Sequence, residues 1–498
     1  MNLTNRISKT FVGLFFLVFL LLNTVSIQAQ RLNALLSYST FYSPQDGPYI
    51  ETYLKIGGKS IHIEKNEDGK YQGKVQVIMM FKRNDTIVNY DKYELKSPAT
   101  DDSVNYTTNF IDEQRFSLPN GDYNFEIQIW DLLDTLAKPY VTLQPITINF
   151  EKDKVSVSGI ELVESYSKTE TPGIISRGGY DLVPNITNFY SQSANKLIYY
   201  SEVYNTGNIL GKGEKYLVSS YIQILETGKT LQDYIRYKKE TGSDVSVVFG
   251  EFDISKLPSG NYNLVIEVRD KNNEQIALNK LFFQRSNPRI QLTVDKIADN
   301  KVSNSFAGRI TDIDTLREYI RYLQPISDFQ EMSFSQAHLN KADLLTLQKF
   351  FYMFWSQRNP LEPQKAWLDY LDKVNMVNMA YSTQISKGYQ TDRGRVYLKY
   401  GPPNSISESY NEPAAYPYEI WHYYELANGQ RNKKFVFYTK DIVTNDFSLL
   451  HSDVTGELSN YRWQYFLFQR VDDGWNIDRT LLPDGWGESS TDYYNNPR

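Results

Sequence analysis

Between residues 49 and 150 the hydrophobic positions recur every second residue in short bursts, at 49–56, 71–81 and 86–95. The run Lys74-Val75-Gln76-Val77-Ile78-Met79 alternates as a half-buried strand does, one face on a core and the other on water. Turn residues separate the bursts, Gly57-Gly58 and Asp68-Gly69 being the strongest signals. Residues 154–285 have the same texture, and the run 197–204 is rich in aromatic and β-branched side chains that suit a pleated surface. A repeat ties the two segments together. Leu118-Pro119-Asn120-Gly121-Asp122-Tyr123 leads into an alternating run that closes on Asp131, and Leu257-Pro258-Ser259-Gly260-Asn261-Tyr262 into one that closes on Asp270. Pro and Gly set a tight turn and the tyrosine opens a strand. The pattern predicts two tandem all-β, immunoglobulin-like sandwich domains, at 30–152 and 153–287.

After Asn287-Pro288 the period changes. A short helix is expected over 316–323, capped by Asp312 or Asp314. Asn340 can cap the next, with Asp343 at its third position and an apolar run from Leu344 to Trp355. Asn359-Pro360 starts another, with Glu362 closing a capping box and an apolar stripe from Trp367 to Tyr381. Strands are expected at 396–400, 419–424, 434–438 and 465–470. The region is therefore read as a helical connector at 288–335, an α+β domain at 336–490 and a polar tail at 491–498. Asp-Gly-Trp occurs at 473–475 and again at 484–486; this stretch is expected either to dock as a strap through its tryptophans or to be loose beyond Glu488.

The N-terminus changes the picture of where the chain works. Arg6 and Lys9 precede an apolar run at 11–22, and Ile27-Gln28-Ala29 offers a small residue for cleavage. This is the pattern of a secretory signal peptide, residues 1–29. The chain contains no cysteine, which excludes disulfides, thiolate chemistry and a lipid-modified N-terminal cysteine. No later apolar run reaches membrane-spanning length. The formal net charge of -6 argues against nucleic acid as a ligand. Tyrosine outnumbers phenylalanine, 39 to 26, which suits strand-rich domains whose rings are buried and whose hydroxyls stay wet.

Candidate chemistry was sought in the densest polar and aromatic run, around residues 388–424. Gly388-Tyr389-Gln390-Thr391-Asp392-Arg393-Gly394-Arg395 leads toward Tyr418-Glu419-Ile420-Trp421-His422-Tyr423. Gly388 is expected to end a helix. Thr391 and Asp392 can tie off backbone donors, and Arg393 and Arg395 can reach a carboxylate in bidentate fashion. A buried Asp–Arg pair there would orient helix against sheet. The same residues could instead place the arginines with Tyr418, Trp421 and Tyr423 on a protein-binding face. The four histidines, His62, His338, His422 and His451, form no short-spaced ligand motif, and no metal or cofactor is expected. His422 is read as a packed ring in an aromatic strand. Glu408, Glu412 and Glu419 could serve a glycosidase, with Trp421 as a sugar platform, yet their spacing singles out no pair. The motif is read as bracing rather than catalytic.

The run from Gly388 through Asp392 to Pro403 resembles the signature of the GWxTD domain family, with Tyr389 where that pattern has tryptophan. The resemblance covers roughly residues 300–490. It implies an exported protein of a Bacteroidetes-type envelope, periplasmic or associated with the outer membrane, and it brings no established catalytic activity. The function expected is that of a non-catalytic scaffold or adaptor binding envelope proteins through the C-terminal domain and touching membrane only through those partners. A large exposed aromatic patch on that domain is expected with it. The alternatives are a glycan or peptidoglycan-binding module and, third, an envelope hydrolase.

Overall fold

The computed structural model describes residues 32–84, 86–102, 108–134, 138–173, 175–295, 299–468 and 489–495. The signal segment and the tryptophans at 475 and 486 lie outside the described residues. The N-terminal part is almost entirely β-sheet, and the C-terminal part is helical with one sheet.

The alternation read from the sequence is what the first β unit is built on. In the strand Lys74–Arg83 the side chains of Val75, Val77, Met79 and Phe81 are buried and their neighbours are not. That strand sits in a four-stranded antiparallel sheet between Thr86–Lys96 and Gly121–Asp131, with Tyr140–Ile148 at the far edge. A three-stranded sheet of Ala34–Ser43, Gly47–Ile56 and Phe110–Ser117 supplies Ile50, Leu54, Ile56 and Phe116 to the same core. The second unit has a five-stranded sheet around Lys215–Ile224 and Gly260–Arg269 and a six-stranded one around Lys196–Tyr204. Leu197, Tyr199 and Val203 meet Leu264, Ile266 and Val268 in its core.

The sequence repeat marks one element used twice. Leu118 and Leu257 are fully buried before the turn. The Tyr123 hydroxyl donates to Pro119 O at 2.7 Å and the Tyr262 hydroxyl to Pro258 O at 3.1 Å, so each tyrosine pins the turn that precedes its strand. Both strands lie inside a sheet with a partner on each side.

The two β units share a buried junction. Phe41 of the first packs among Val163, Leu182, Ile198 and Tyr200 of the second. Gly159 N donates to Thr40 O at 2.6 Å, and a Cβ on Gly159 would sit 2.6 Å from Thr40 N. Beside it, buried Arg177 pairs with Glu51, with Glu113 at 2.7 Å and with Glu161 at 2.5 Å; Arg115 reaches Glu51 at 2.7 Å. Three carboxylates face two guanidinium groups. Burial pushes Glu161 up to about 8 against the pull of Arg177, and Glu113 up to about 7.

In the C-terminal region Asp312 caps Ile313–Tyr322, accepting from Thr315 N at 2.8 Å as expected. The cap of Leu344–Arg358 is Asp343, not Asn340: its carboxylate accepts from Thr346 N at 2.8 Å. Pro363–Tyr381 begins later than the Asn359 cap implied; Asn359 instead accepts from Glu362 N at 3.0 Å in the turn before it. Trp355, Trp367, Tyr370 and Phe351 form the core between these helices, and Val294, Leu316, Ile320 and Phe334 belong to the same core. The segment read as a connector is therefore packed into the helical body. The sheet runs Ser405–Ser409, Tyr418–Glu425, Arg431–Tyr438, Ser448–Ser452, all antiparallel.

Two expected strands are helices. Residues 396–400 lie in the helix Asp392–Tyr400, and 463–467 form the short helix Trp463–Leu467, with 469–470 outside the described residues. The first error has a clear physical source. Val396 and Leu398 are both buried, which mimics alternation, but they serve different cores: Val396 faces the sheet and Leu398 the helices.

Candidate functional site

The motif occupies the turn between two helices and the first turns of the second. Thr391 is the N-cap of Asp392–Tyr400. Its hydroxyl oxygen accepts from Gly394 N at 3.1 Å and its proton goes to Gly388 O at 2.8 Å. Gly388 does not end the preceding helix, which stops at Tyr381; it opens a short 3-10 turn pressed onto that helix. A Cβ on Gly388 would overlap Val377 O, and one on Gly394 would overlap Gly388 O. Both glycines are required because three backbone segments meet there with no room for a side chain. Tyr389 N donates to Asn378 Oδ1 at 3.1 Å, and its buried ring stands edge-on to Tyr322 at 5.0 Å.

Arg393 is the centre of the site. It is buried, and Nη1 donates to Glu419 Oε1 at 2.7 Å. Nη2 donates to Asn445 O at 3.0 Å and to Asn445 Oδ1 at 2.6 Å. The guanidinium lies 4.1 Å from the Phe447 ring centre and 5.1 Å from that of Tyr381. Glu419 is in turn held by Trp421 Nε1 at 3.0 Å and the Tyr410 hydroxyl at 3.1 Å. Arg393 Nε is the one nitrogen of this guanidinium buried without a partner among the described residues, a cost the other bonds offset. The expected acid–arginine brace is thus present, with Glu419 as the acid in place of Asp392.

The other charged motif residues are also engaged. Asp392 Oδ2 accepts from Leu449 N at 2.7 Å, tying the helix to the edge strand of the sheet. Arg395 reaches Glu457 at 2.8 Å, and the same carboxylate takes Lys399 and the Tyr400 hydroxyl, each at 2.8 Å. Burial alone would raise Glu457; Lys399 and Arg395 outweigh it and hold the carboxyl at about 2.

Tyr418, Trp421 and Tyr423 are buried, so they form no exposed face and Trp421 is no sugar platform. They point inward because alternate residues of their strand pack on helices and on opposite layers: Trp421 and Tyr423 with Val396, Phe435 and Phe437, Tyr418 with Ile420 and Trp463. Their polar tips are satisfied, Tyr418 by Glu412 at 3.0 Å and Tyr423 by Gly401 O at 2.9 Å. Glu408 takes the Tyr410 hydroxyl at 2.7 Å. His422 is buried and bonded to Asn432 at 2.7 Å. Glu419, Asn445, Phe447 and Glu457 are site residues whose roles were not foreseen. Only Glu419 carried a signal, as the one acid inside an apolar strand.

What the motif holds together is exposed. Asn445, fixed by Arg393, donates from Nδ2 to Ser382 O at 3.2 Å, so the loop 382–387 and the turn 441–446 lie side by side. Ile385 is 91% exposed and Val443 81% exposed, and Met379 at the end of the neighbouring helix is 89% exposed. The most exposed apolar side chains next to the motif are therefore aliphatic, not aromatic.

Comparison with known proteins agrees with the motif. Residues 291–463 match the family model of the GWxTD domain, and this part of the chain carries that domain. No curated protein matches the chain. Among solved structures it is similar to the fibronectin(III)-like modules of Clostridium thermocellum CbhA, with 10% identity over 49% of this chain and 89% of that one, at a TM-score of 0.15. A calcium-binding mutant of Bacteroides uniformis beta-glucuronidase 2 is 9% identical over 49% of this chain and 28% of that one, at a TM-score of 0.18. Parabacteroides merdae beta-glucuronidase is 10% identical over 55% of this chain and 35% of that one, at 0.17. The chain spans about a third of those two enzymes.

Proposed function

We propose that this chain, built on a GWxTD domain, is a non-catalytic scaffold or adaptor subunit of an envelope protein complex. One observation carries the reading. The polar side chains of the motif, from Thr391 to Arg395, are engaged by internal partners, and what they brace is a surface of two loops bearing Ile385 and Val443, with Met379 at the end of the adjoining helix. Exposed apolar side chains grouped beside a rigid support are what a protein-binding site requires. The β units, taken as tandem immunoglobulin-like sandwiches at 30–152 and 153–287, would act as spacers and further docking modules; the shared turn pinned by Tyr123 and Tyr262 supports that division. Export to the periplasm, with contact to the outer membrane made through partners, is supported by the basic and apolar pattern of residues 1–29 and the lack of cysteine.

The test is affinity capture from gently solubilised envelopes with the full chain and with Ile385→Ser/Val443→Ser. The full chain is expected to retain protein partners that the variant loses while folding normally. Recovery of the chain alone, as a soluble monomer, would overturn the reading. Retention of peptidoglycan fragments without protein would favour the glycan-binding alternative.

A further inference from the structure

A cavity of about 900 Å³ lies between the first β unit and the C-terminal sheet, away from the motif's exposed loops. One wall is made by residues 82–84, 122–124 and 143–147, the other by 431–434, 451–457 and Tyr494. Its most telling residue is Lys434. The residue is only 7% exposed, yet among the described residues its ammonium makes no ion pair within 4 Å and no hydrogen bond, the Asp453 carboxylate acting on it from further away. It rests 4.8 Å from the Tyr494 ring centre. Asp453, the nearest acid, is already engaged, accepting from Lys434 N at 2.6 Å. Burial lowers the proton affinity of the lysine, against the pull of the Asp453 carboxylate.

Lys434 is not alone. Lys433 Nζ donates to the backbone oxygen of Asp453 at 2.9 Å, and the Arg83 guanidinium to Asn120 O and the Tyr123 hydroxyl at 2.9 and 2.8 Å. Neither has a carboxylate partner among the described residues. The acids on the walls are otherwise occupied: Asp122 takes the Thr147 hydroxyl at 2.6 Å, and Glu457 takes Arg395, Lys399 and Tyr400. His451 Nδ1 accepts from Asn460 N at 3.0 Å, so its proton sits on Nε2, which donates to the Tyr494 hydroxyl at 3.0 Å. Burial holds this ring neutral, at about 4. The Tyr494 proton is left free to donate. Three cations that form no ion pair among the described residues, Arg83, Lys433 and Lys434, face one cavity together with the Tyr494 hydroxyl, in a chain whose net charge is -6.

We propose that this groove binds an extended acidic segment of a partner protein, its carboxylates compensating Lys434, Lys433 and Arg83. The choice of a peptide over an anionic sugar rests on the strand Tyr140–Ile148. Among the described residues that strand pairs on one side only, with Gly121–Asp131, and residues 143–147 line the groove. Its outer backbone groups can accept an added strand, Pro145 withholding one donor, while alternate side chains of the guest reach the cations. The proposal deepens the scaffold reading and rests on it for the nature of the ligand.

The experiment is fluorescence anisotropy with the full chain and a labelled peptide of alternating glutamate and valine, its glutamine counterpart, and oligogalacturonate. The acidic peptide is expected to bind, more weakly as salt rises, and the glutamine peptide not to bind. Lys434→Met is expected to weaken binding by about tenfold or more, with a melting temperature at or above that of the wild type because a desolvated charge is removed. Lys434→Arg retains binding, and Lys433→Gln, at a less buried position, gives a second loss should Lys434→Met fold poorly. No binding of the acidic peptide, equal binding of the glutamine peptide, unchanged affinity in both lysine variants, or binding of the galacturonate alone would each overturn the proposal. The Ile385→Ser/Val443→Ser capture addresses a different surface, so the scaffold reading can stand if the groove proposal falls.

Discussion

Arg393→Met is the sharpest test of the brace. The substitution keeps an unbranched apolar stem of similar reach and removes the guanidinium. It deletes the ion pair with Glu419 and both bonds to Asn445, and leaves the buried Glu419 carboxylate with only Trp421 Nε1 and the Tyr410 hydroxyl. Breaking a buried pair by removing one partner costs about 3–5 kcal/mol, most of it the price of the stranded charge. Glu419→Gln in the same chain removes that charge while leaving an amide oxygen for Trp421 and Tyr410. The double variant is therefore expected to recover roughly half of the loss, with a coupling energy of about 1–3 kcal/mol. Urea unfolding followed by tryptophan emission is the assay, since every tryptophan except Trp130 lies in the C-terminal region. A loss below about 1 kcal/mol in Arg393→Met, or a double variant no better than the sum of the singles, would refute the brace.

Three further outcomes follow from the same structure. Thr391→Val removes the cap oxygen used by Gly394 N and should cost about 1–2 kcal/mol in urea unfolding. Gly394→Ala forces a Cβ onto Gly388 O; a loss of about 3 kcal/mol or more in thermal melts is expected, and a neutral result would contradict the packing described. The junction around Arg177 should make the β region less stable as pH rises. Glu161 and Glu113 are raised to about 8 and about 7 when folded, so unfolding releases protons between about pH 5 and 8. Stability is full below the ordinary glutamate range and falls by about 1.4 kcal/mol per pH unit for each proton released, up to roughly 2.7 where both glutamates contribute, until pH passes those values. Glu161→Gln should flatten that slope in melts run from pH 5 to 8, and an unchanged slope would count against the raised Glu161 carboxyl.

The β region was legible because its rules are local. Alternation in Lys74–Arg83 and the Leu-Pro-x-Gly turn each declare themselves within a dozen residues, and the structure uses both turns identically down to the tyrosine hydroxyl. The motif was legible as a composition but not as a geometry. Val396 and Leu398 imitate a strand because two cores flank one helix. The partners that fix Arg393 and Arg395 are Asn445 and Glu457, 52 and 62 residues away, and nothing near them in sequence announces the pairing. The aromatic strand reads either as core or as a binding face because tyrosine and tryptophan suit both; only the layers above and below decide that Trp421 is fully buried.

The linker near Asp153 is where the chain looks divisible, yet the molecule would not come apart cleanly there. Scission would leave Phe41 bare on one fragment. It would also strand Glu51 and Glu113 away from the guanidinium of Arg177, which departs with Glu161. Neither piece would be electrically or hydrophobically finished. The first two β units are therefore a single cassette for expression, for domain shuffling and for transmitting load from one end to the other.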